Sequence, residues 1–131
     1  MKKDKKRIVW ATALFLVLLL LPLLSPAVAA ATTISIPDIE LDPGANTTVP
    51  IMINDVTDPD GVGTANINLT FDPTVVHVLG VSDANSDFSL VISNIGTGYT
   101  TIGASYFGVK GPTGDVYLAD VTLEAVGAPG D

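Results

Sequence analysis

The stretch Gly61 to Ser82, GVGTANINLTFDPTVVHVLGVS, constrains this chain more than any other. Ala65, Ile67, Leu69 and Phe71 alternate with Thr64, Asn66, Asn68 and Thr70, the period-two pattern of a strand with one buried and one wet face. That wet face is made entirely of amides and hydroxyls. Asp72-Pro73 then breaks the strand, because proline has no N–H for a ladder and fixes its own φ, and the β-branched run Val75 to Val81 resumes it. Val76 and Val78 are expected to face inward and His77 outward. The pair reads as two strands meeting at a tight corner.

From Thr32 onward the same cadence continues, short alternating or β-branched runs separated by Gly, Pro, Asn and Asp, with no amphipathic helical period. It predicts an all-β, antiparallel β-sandwich. Strands are expected at Thr33 to Leu41, Thr47 to Asn54, Gly63 to Phe71, Val75 to Ser82, Phe88 to Ser93, Thr100 to Phe107 and Asp115 to Val126. Pro37 demotes the first to an edge strand or splits it.

The N-terminus is of a different character. Met1 to Arg7 holds five of the six basic residues, Ile8 to Leu24 is apolar, and Ala27 to Ala31 is small. A basic head, an apolar middle and an A-x-A site predict a secretory signal peptide over residues 1–30, an uncleaved membrane anchor being the alternative. The domain proper is then 32–131, the size of one small domain. Of the charged residues beyond position 30, one is Lys110 and thirteen are acids, a net of −12 against −8 for the whole chain. Such a balance excludes nucleic acid as a partner and leaves the membrane only through the N-terminal segment. The chain has no Cys, hence no disulfide framework.

Three pieces of the sequence, in order, resemble cohesin domains, the modules that bind dockerins in cellulosomes and related extracellular assemblies. GVGTANINLTFDPTVVHVLGV is similar to the family's strand, (F/Y)-D-P-x-V corner and following strand. Leu41-Asp42-Pro43-Gly44 to Pro50-Ile51 resembles its early segment, and Val121 to Ala125 followed by Gly127-Ala128-Pro129 resembles its penultimate strand and exit turn. The resemblance implies a jelly-roll-like sandwich shared with some carbohydrate-binding modules, and a dockerin-type protein partner. It also implies a further strand after the exit turn, so the chain ending at Asp131 reads as a domain without its last strand.

The resemblance puts docking on the wet face of the strand before the Phe71-Asp72-Pro73 corner. The family's two recognition positions, often Asn and Asp, fall on Thr64 and Asn66, so donors and acceptors survive and the charge does not. By strand parity Asn68 and Thr70 extend these into one row about 20 Å long. Further along, Asp120, Thr122 and Glu124 share a parity with Leu118. Leu118 and Asp120 are therefore candidate partner contacts, Leu118 either as an exposed hot spot or as a plug of the core.

Catalysis is not expected. Cys is absent, His77 is the only histidine, and aromatics amount to 6%, too few to build a sugar-gripping cleft. No cofactor is expected, with Ca²⁺ as the alternative at the loop Asn54 to Gly61, where Asp55, Asp58 and Asp60 offer hard oxygen ligands without EF-hand spacing. The other reading of that loop is a turn built on the backbone preferences of Asp, Asn and Gly. Two N-x-(S/T) triplets make Asn46 and Asn68 candidate glycosylation sites. The sequence therefore supports a secreted or cell-surface cohesin-like binding module. A carbohydrate-binding module acting on polysaccharide, or a structural surface-layer piece, is the alternative.

Overall fold

The computed structural model describes residues 30–128, and the predicted signal peptide lies outside them, save its last residue. Seven strands follow one another with no helix among the described residues: β1 (Thr33–Ser35), β2 (Asn46–Val56), β3 (Thr64–Thr70), β4 (Val76–Ser82), β5 (Leu90–Gly96), β6 (Tyr99–Ser105) and β7 (Gly114–Ala125). They form a four-stranded sheet in the order β1-β2-β7-β4 and a three-stranded sheet in the order β3-β6-β5, with every pairing antiparallel. Apolar faces meet between the sheets. Ile51, Ile102, Val116, Leu118 and Val121 are fully buried there, with Ile67, Val78 and Phe88 nearly so. The expected all-β sandwich is the observed fold.

Most strand boundaries fall within two residues of expectation, and the ends of the first and fifth strands differ by more, each for a local reason. The first strand stops at Ser35, because Pro37 has no N–H to continue the ladder against β2. β5 instead runs on past Ser93 through Asn94, Ile95 and Gly96. Its hairpin to β6 closes with only Thr97 and Gly98 between the paired residues Gly96 and Tyr99, and Gly98 takes a φ of +79° that other residues avoid.

The Phe71-Asp72-Pro73 corner carries the chain from one sheet to the other and is held through Asp72, by both its side chain and its carbonyl. The Asp72 carboxylate accepts from the Thr74 backbone N–H at 2.8 Å and the Thr74 hydroxyl at 2.7 Å, while the Asp72 carbonyl accepts from the N–H groups of Val75 and Val76 at 3.0 Å each. The Thr74 hydroxyl first, and its N–H second, hold the Asp72 carboxyl below its ordinary value. A carboxyl whose folded pKa is depressed stabilises the fold fully above its unfolded pKa, and that contribution is lost as pH falls through the folded value. Thermal melts across an acid titration are therefore expected to show Asp72→Ala converging with the parent protein below about pH 4, the range of a free Asp. A gap between the two that persists unchanged at low pH would show that the corner is held by something else.

Candidate functional site

The outer face of the three-stranded sheet is built row by row from the strand register. Thr64, Ser105 and Leu90 lie side by side, then Asn66, Gly103 and Ile92, then Asn68, Thr101 and Asn94, and last Thr70, Tyr99 and Gly96. The alternation read from β3 holds: Thr64, Asn66, Asn68 and Thr70 are exposed, and Ile67 beneath them is buried. No member of these rows is charged, although the sequence is strongly acidic. Glycine sits at the centre. Without a side chain at Gly103, a shallow furrow of about 310 Å³ opens between Asn66 and Ile92, lined also by Thr64, Leu90 and Ser105. Ile92 leans over it, close enough that a Cβ at position 103 would meet its Cγ1 at 3.3 Å.

Leu90 and Ile92 are the apolar part of this face, and Ile92 is 64% exposed. Reasoning from the sequence did not single them out. The alternation Leu90, Ile92, Asn94 against Val91, Ser93, Ile95 mixes polar and apolar residues on both sides, so period two alone does not say which side is wet. Only Gly103 in the register of Ile92 distinguishes the outer one. Tyr99 is the sole aromatic in the four rows and lies against Gly96, whose missing Cβ would sit 2.4 Å from its ring. A carbohydrate surface made of several exposed rings is not what these rows present.

Leu118 and Asp120 belong elsewhere. In the pairing of β2 with β7 the register slips between Ile51↔Ala119 and Met52↔Tyr117, leaving Leu118 as an extra residue, a β-bulge. Parity reverses there: Val116 and Leu118 point inward before it, Ala119 and Val121 after it. Leu118 is 0% exposed and is a core residue, not a surface contact. The expectation that it shares a face with Asp120 fails, because counting by twos does not survive an inserted residue. Asp120 lies on the outer side of the other sheet, where Asn85 Nδ2 donates to it at 2.8 Å and the Tyr117 hydroxyl donates to its other oxygen. That bond, above all, raises the Tyr117 phenol above its ordinary value. Asp120 therefore does not join the row of Thr64 and Asn66 in one flat contact.

The candidate Ca²⁺ ligands are likewise dispersed. Among the described residues no three His, Cys, Asp or Glu side chains gather to hold a metal. Asp55 occupies a second bulge with a φ of 58°, and its N–H donates to Asp115 at 3.2 Å. Asp58 accepts from the N–H of Asp60 at 2.9 Å, and Asp60 pairs with Lys110 at 3.4 Å. Asp58 and Asp60 use their carboxylates in separate contacts, and Asp55 takes part through its backbone. Of the glycosylation candidates, Asn68 stands exposed in the third row of the face and Asn46 begins β2.

The fold is a two-sheet antiparallel sandwich whose three-stranded sheet has an uncharged outer face. Residues 32–128 match the family model described as Cohesin domain, and the chain belongs to that family. Solved structures with the same fold include the sixth cohesin of scaffoldin B from Acetivibrio cellulolyticus, in complex with a dockerin, at 16% identity and a TM-score of 0.66, covering 78% of this chain and 75% of that one. A non-cellulosomal cohesin from the archaeon Archaeoglobus fulgidus is 26% identical, with a TM-score of 0.60 and coverage of 74% and 67%. A type I cohesin–dockerin complex from Clostridium thermocellum gives 15% identity, a TM-score of 0.60 and coverage of 73% and 72%. Comparison with curated proteins finds no match.

Proposed function

We propose that this domain is a non-catalytic, secreted or cell-surface module that docks a dockerin-type protein on the outer face of β3, β6 and β5. The observation that carries the reading is the composition of that face: amides and hydroxyls on β3, a glycine furrow on β6 and two exposed aliphatic residues on β5, with no charge among them. Apolar anchors bordered by neutral hydrogen-bonding groups suit a protein interface. The solved relatives in complex with dockerins support the class of partner, and the signal-like N-terminus supports an extracellular setting, with a polysaccharide-degrading assembly as the context that the family suggests.

Titration calorimetry against a panel of dockerins tests this. Ile92→Ala is expected to cost about 2 kcal/mol or more of binding free energy, the size of a hot-spot truncation. Asn66→Ala is expected to cost about 0.5–1.5 kcal/mol, one neutral hydrogen bond. Neither residue is buried, so the melting temperature stays near that of the parent protein. Unchanged affinity in both variants would move docking to the opposite sheet or the loops. Because Asn68 lies in the third row, a glycan there would stand in the contact, and mass spectrometry of secreted protein showing full occupancy at Asn68 would count against this face.

A further inference from the structure

Among the described residues, Gly96 and Gly108 each have a tyrosine ring standing where a side chain of their own would be. In the last row of the face the Tyr99 ring lies over Gly96, its partner across the ladder, and past the end of β6 the Tyr106 ring lies over Gly108. A glycine in a strand gives its neighbours no side chain to pack on, and an aromatic ring laid across it restores that contact. Gly103, at the centre of the face, is covered by no ring among the described residues. Its partners across the two ladders are Asn66 and Ile92, and within 4 Å a Cβ there would meet only Ile92, Cγ1 at 3.3 Å and Cδ1 at 3.7 Å. Gly80 in β4 is bare as well, but nothing stands within 4 Å of its missing Cβ, so it has no wall against which a ring could pack.

The furrow over Gly103 has walls of two kinds. On the β5 side stand Leu90 and Ile92, 44% and 64% exposed, and on the β3 side Thr64 and Asn66, with Ser105 on the floor strand beside them. All of these belong to strands paired with one another, so the furrow is complete within β3, β6 and β5. A charged side chain entering it would lose water and meet no opposite charge, which is costly. An aliphatic one would cover the amide and hydroxyls of the β3 wall and give them no partner. A phenol suits both walls, its ring against Ile92 and its hydroxyl toward Thr64, Asn66 and Ser105. We infer that the furrow receives a tyrosine side chain of the docked protein, laid over Gly103 as Tyr99 lies over Gly96. Gly103 is then the residue that sets specificity on this face, because any side chain there would occupy the place of the ring. The inference rests on docking at the outer face of β3, β6 and β5 and adds to it the chemistry of one partner residue.

Titration of the protein with N-acetyl-L-tyrosinamide, followed through its backbone amide resonances, tests the furrow without the partner. The amides of Gly103, Asn66 and Ile92 are expected to shift and to saturate in the millimolar range. N-acetyl-L-leucinamide and N-acetyl-L-argininamide are expected to shift them less. Gly103→Val fills the furrow and is expected to abolish the response, whereas Gly80→Val, the same change in open space on the other sheet, keeps it. Circular dichroism verifies that both variants are folded. No shift at Gly103, an equal response to the leucine amide, or a response that survives in Gly103→Val overturns the inference. Calorimetry with dockerins separates it from the reading of the face. Gly103→Val is expected to weaken a dockerin by about tenfold or more, the size of a lost hot spot. Affinity that falls in Ile92→Ala but not in Gly103→Val leaves docking at this face standing and overturns the tyrosine, whereas affinity indifferent to Asn66, Ile92 and Gly103 alike removes docking from the face and the inference with it.

Discussion

Leu118→Ala is expected to destabilise the domain by about 2–5 kcal/mol, the range for emptying a leucine site in a packed core. The residue is fully buried in the core cluster that also holds Ile51, Ile102 and Val116, so truncating it leaves a cavity there. Urea titration followed by tyrosine fluorescence is the measurement, with a lower midpoint and an unchanged slope marking a loss of stability alone. Leu79 provides the contrast. It is the extra residue where β4 slips against β7 between Val78 and Gly80, but it is 51% exposed. Leu79→Ala is expected to cost less than about 1 kcal/mol, because little area leaves the solvent on folding. Equal costs at the two positions would mean that Leu118 is not buried in solution.

Gly61→Ala is expected to cost about 2–4 kcal/mol, combining left-handed backbone strain with hydrogen bonds lost when two backbone segments are forced apart. Gly61 has a φ of +69°, and a Cβ there would lie 2.2 Å from the carbonyl oxygen of Gly111. The approach is reciprocal, since a Cβ on Gly111 would lie 2.3 Å from the Val62 carbonyl oxygen. Neither contact is with a side chain that could turn aside. The bonds from Val62 to Pro112 and from Gly111 to Asp60, at 3.0 and 2.9 Å, span this approach and break with it. Gly63→Ala serves as the control, having open space around it. A Gly61→Ala midpoint matching that of Gly63→Ala would show that the loops do not pack this closely.

The fold was legible wherever one face of a strand is purely polar. TANINLT admits one orientation, and the corner residues Asp72-Pro73 fix where it ends, so β3, β4 and the outward row from Thr64 to Thr70 follow from sequence. Legibility failed where the backbone departs from strict alternation. Nothing in Tyr117-Leu118-Ala119-Asp120 marks an inserted residue, since apolar and polar neighbours fit either phase, and the bulge becomes visible only against β2. Ile92 escaped for the opposite reason: both of its strand's faces carry apolar residues, and its exposure depends on Gly103 in a strand that precedes no motif of its own. The Asp-rich loop shows the same limit in charge. Asp55, Asp58 and Asp60 are close in sequence, but Asp55 sits with its backbone in a bulge, Asp58 accepts from the Asp60 N–H and Asp60 pairs with Lys110, so the three do not converge.

The neutrality of the outer face has a kinetic consequence. The carboxylates of the described residues lie off the four rows, Asp120 and Glu124 on the opposite sheet among them. For docking on these rows as proposed, long-range attraction or repulsion is set by surfaces outside the contact, and the contact by groups without a long-range field. Selection among encountering molecules falls on the rate of arrival, which slows for acidic bodies and quickens for basic ones, while residence time depends on hydrogen bonds and apolar fit. For a partner docked on this face as proposed, substitutions far from Asn66 and Ile92 are expected to retune how often it arrives without altering how long it stays.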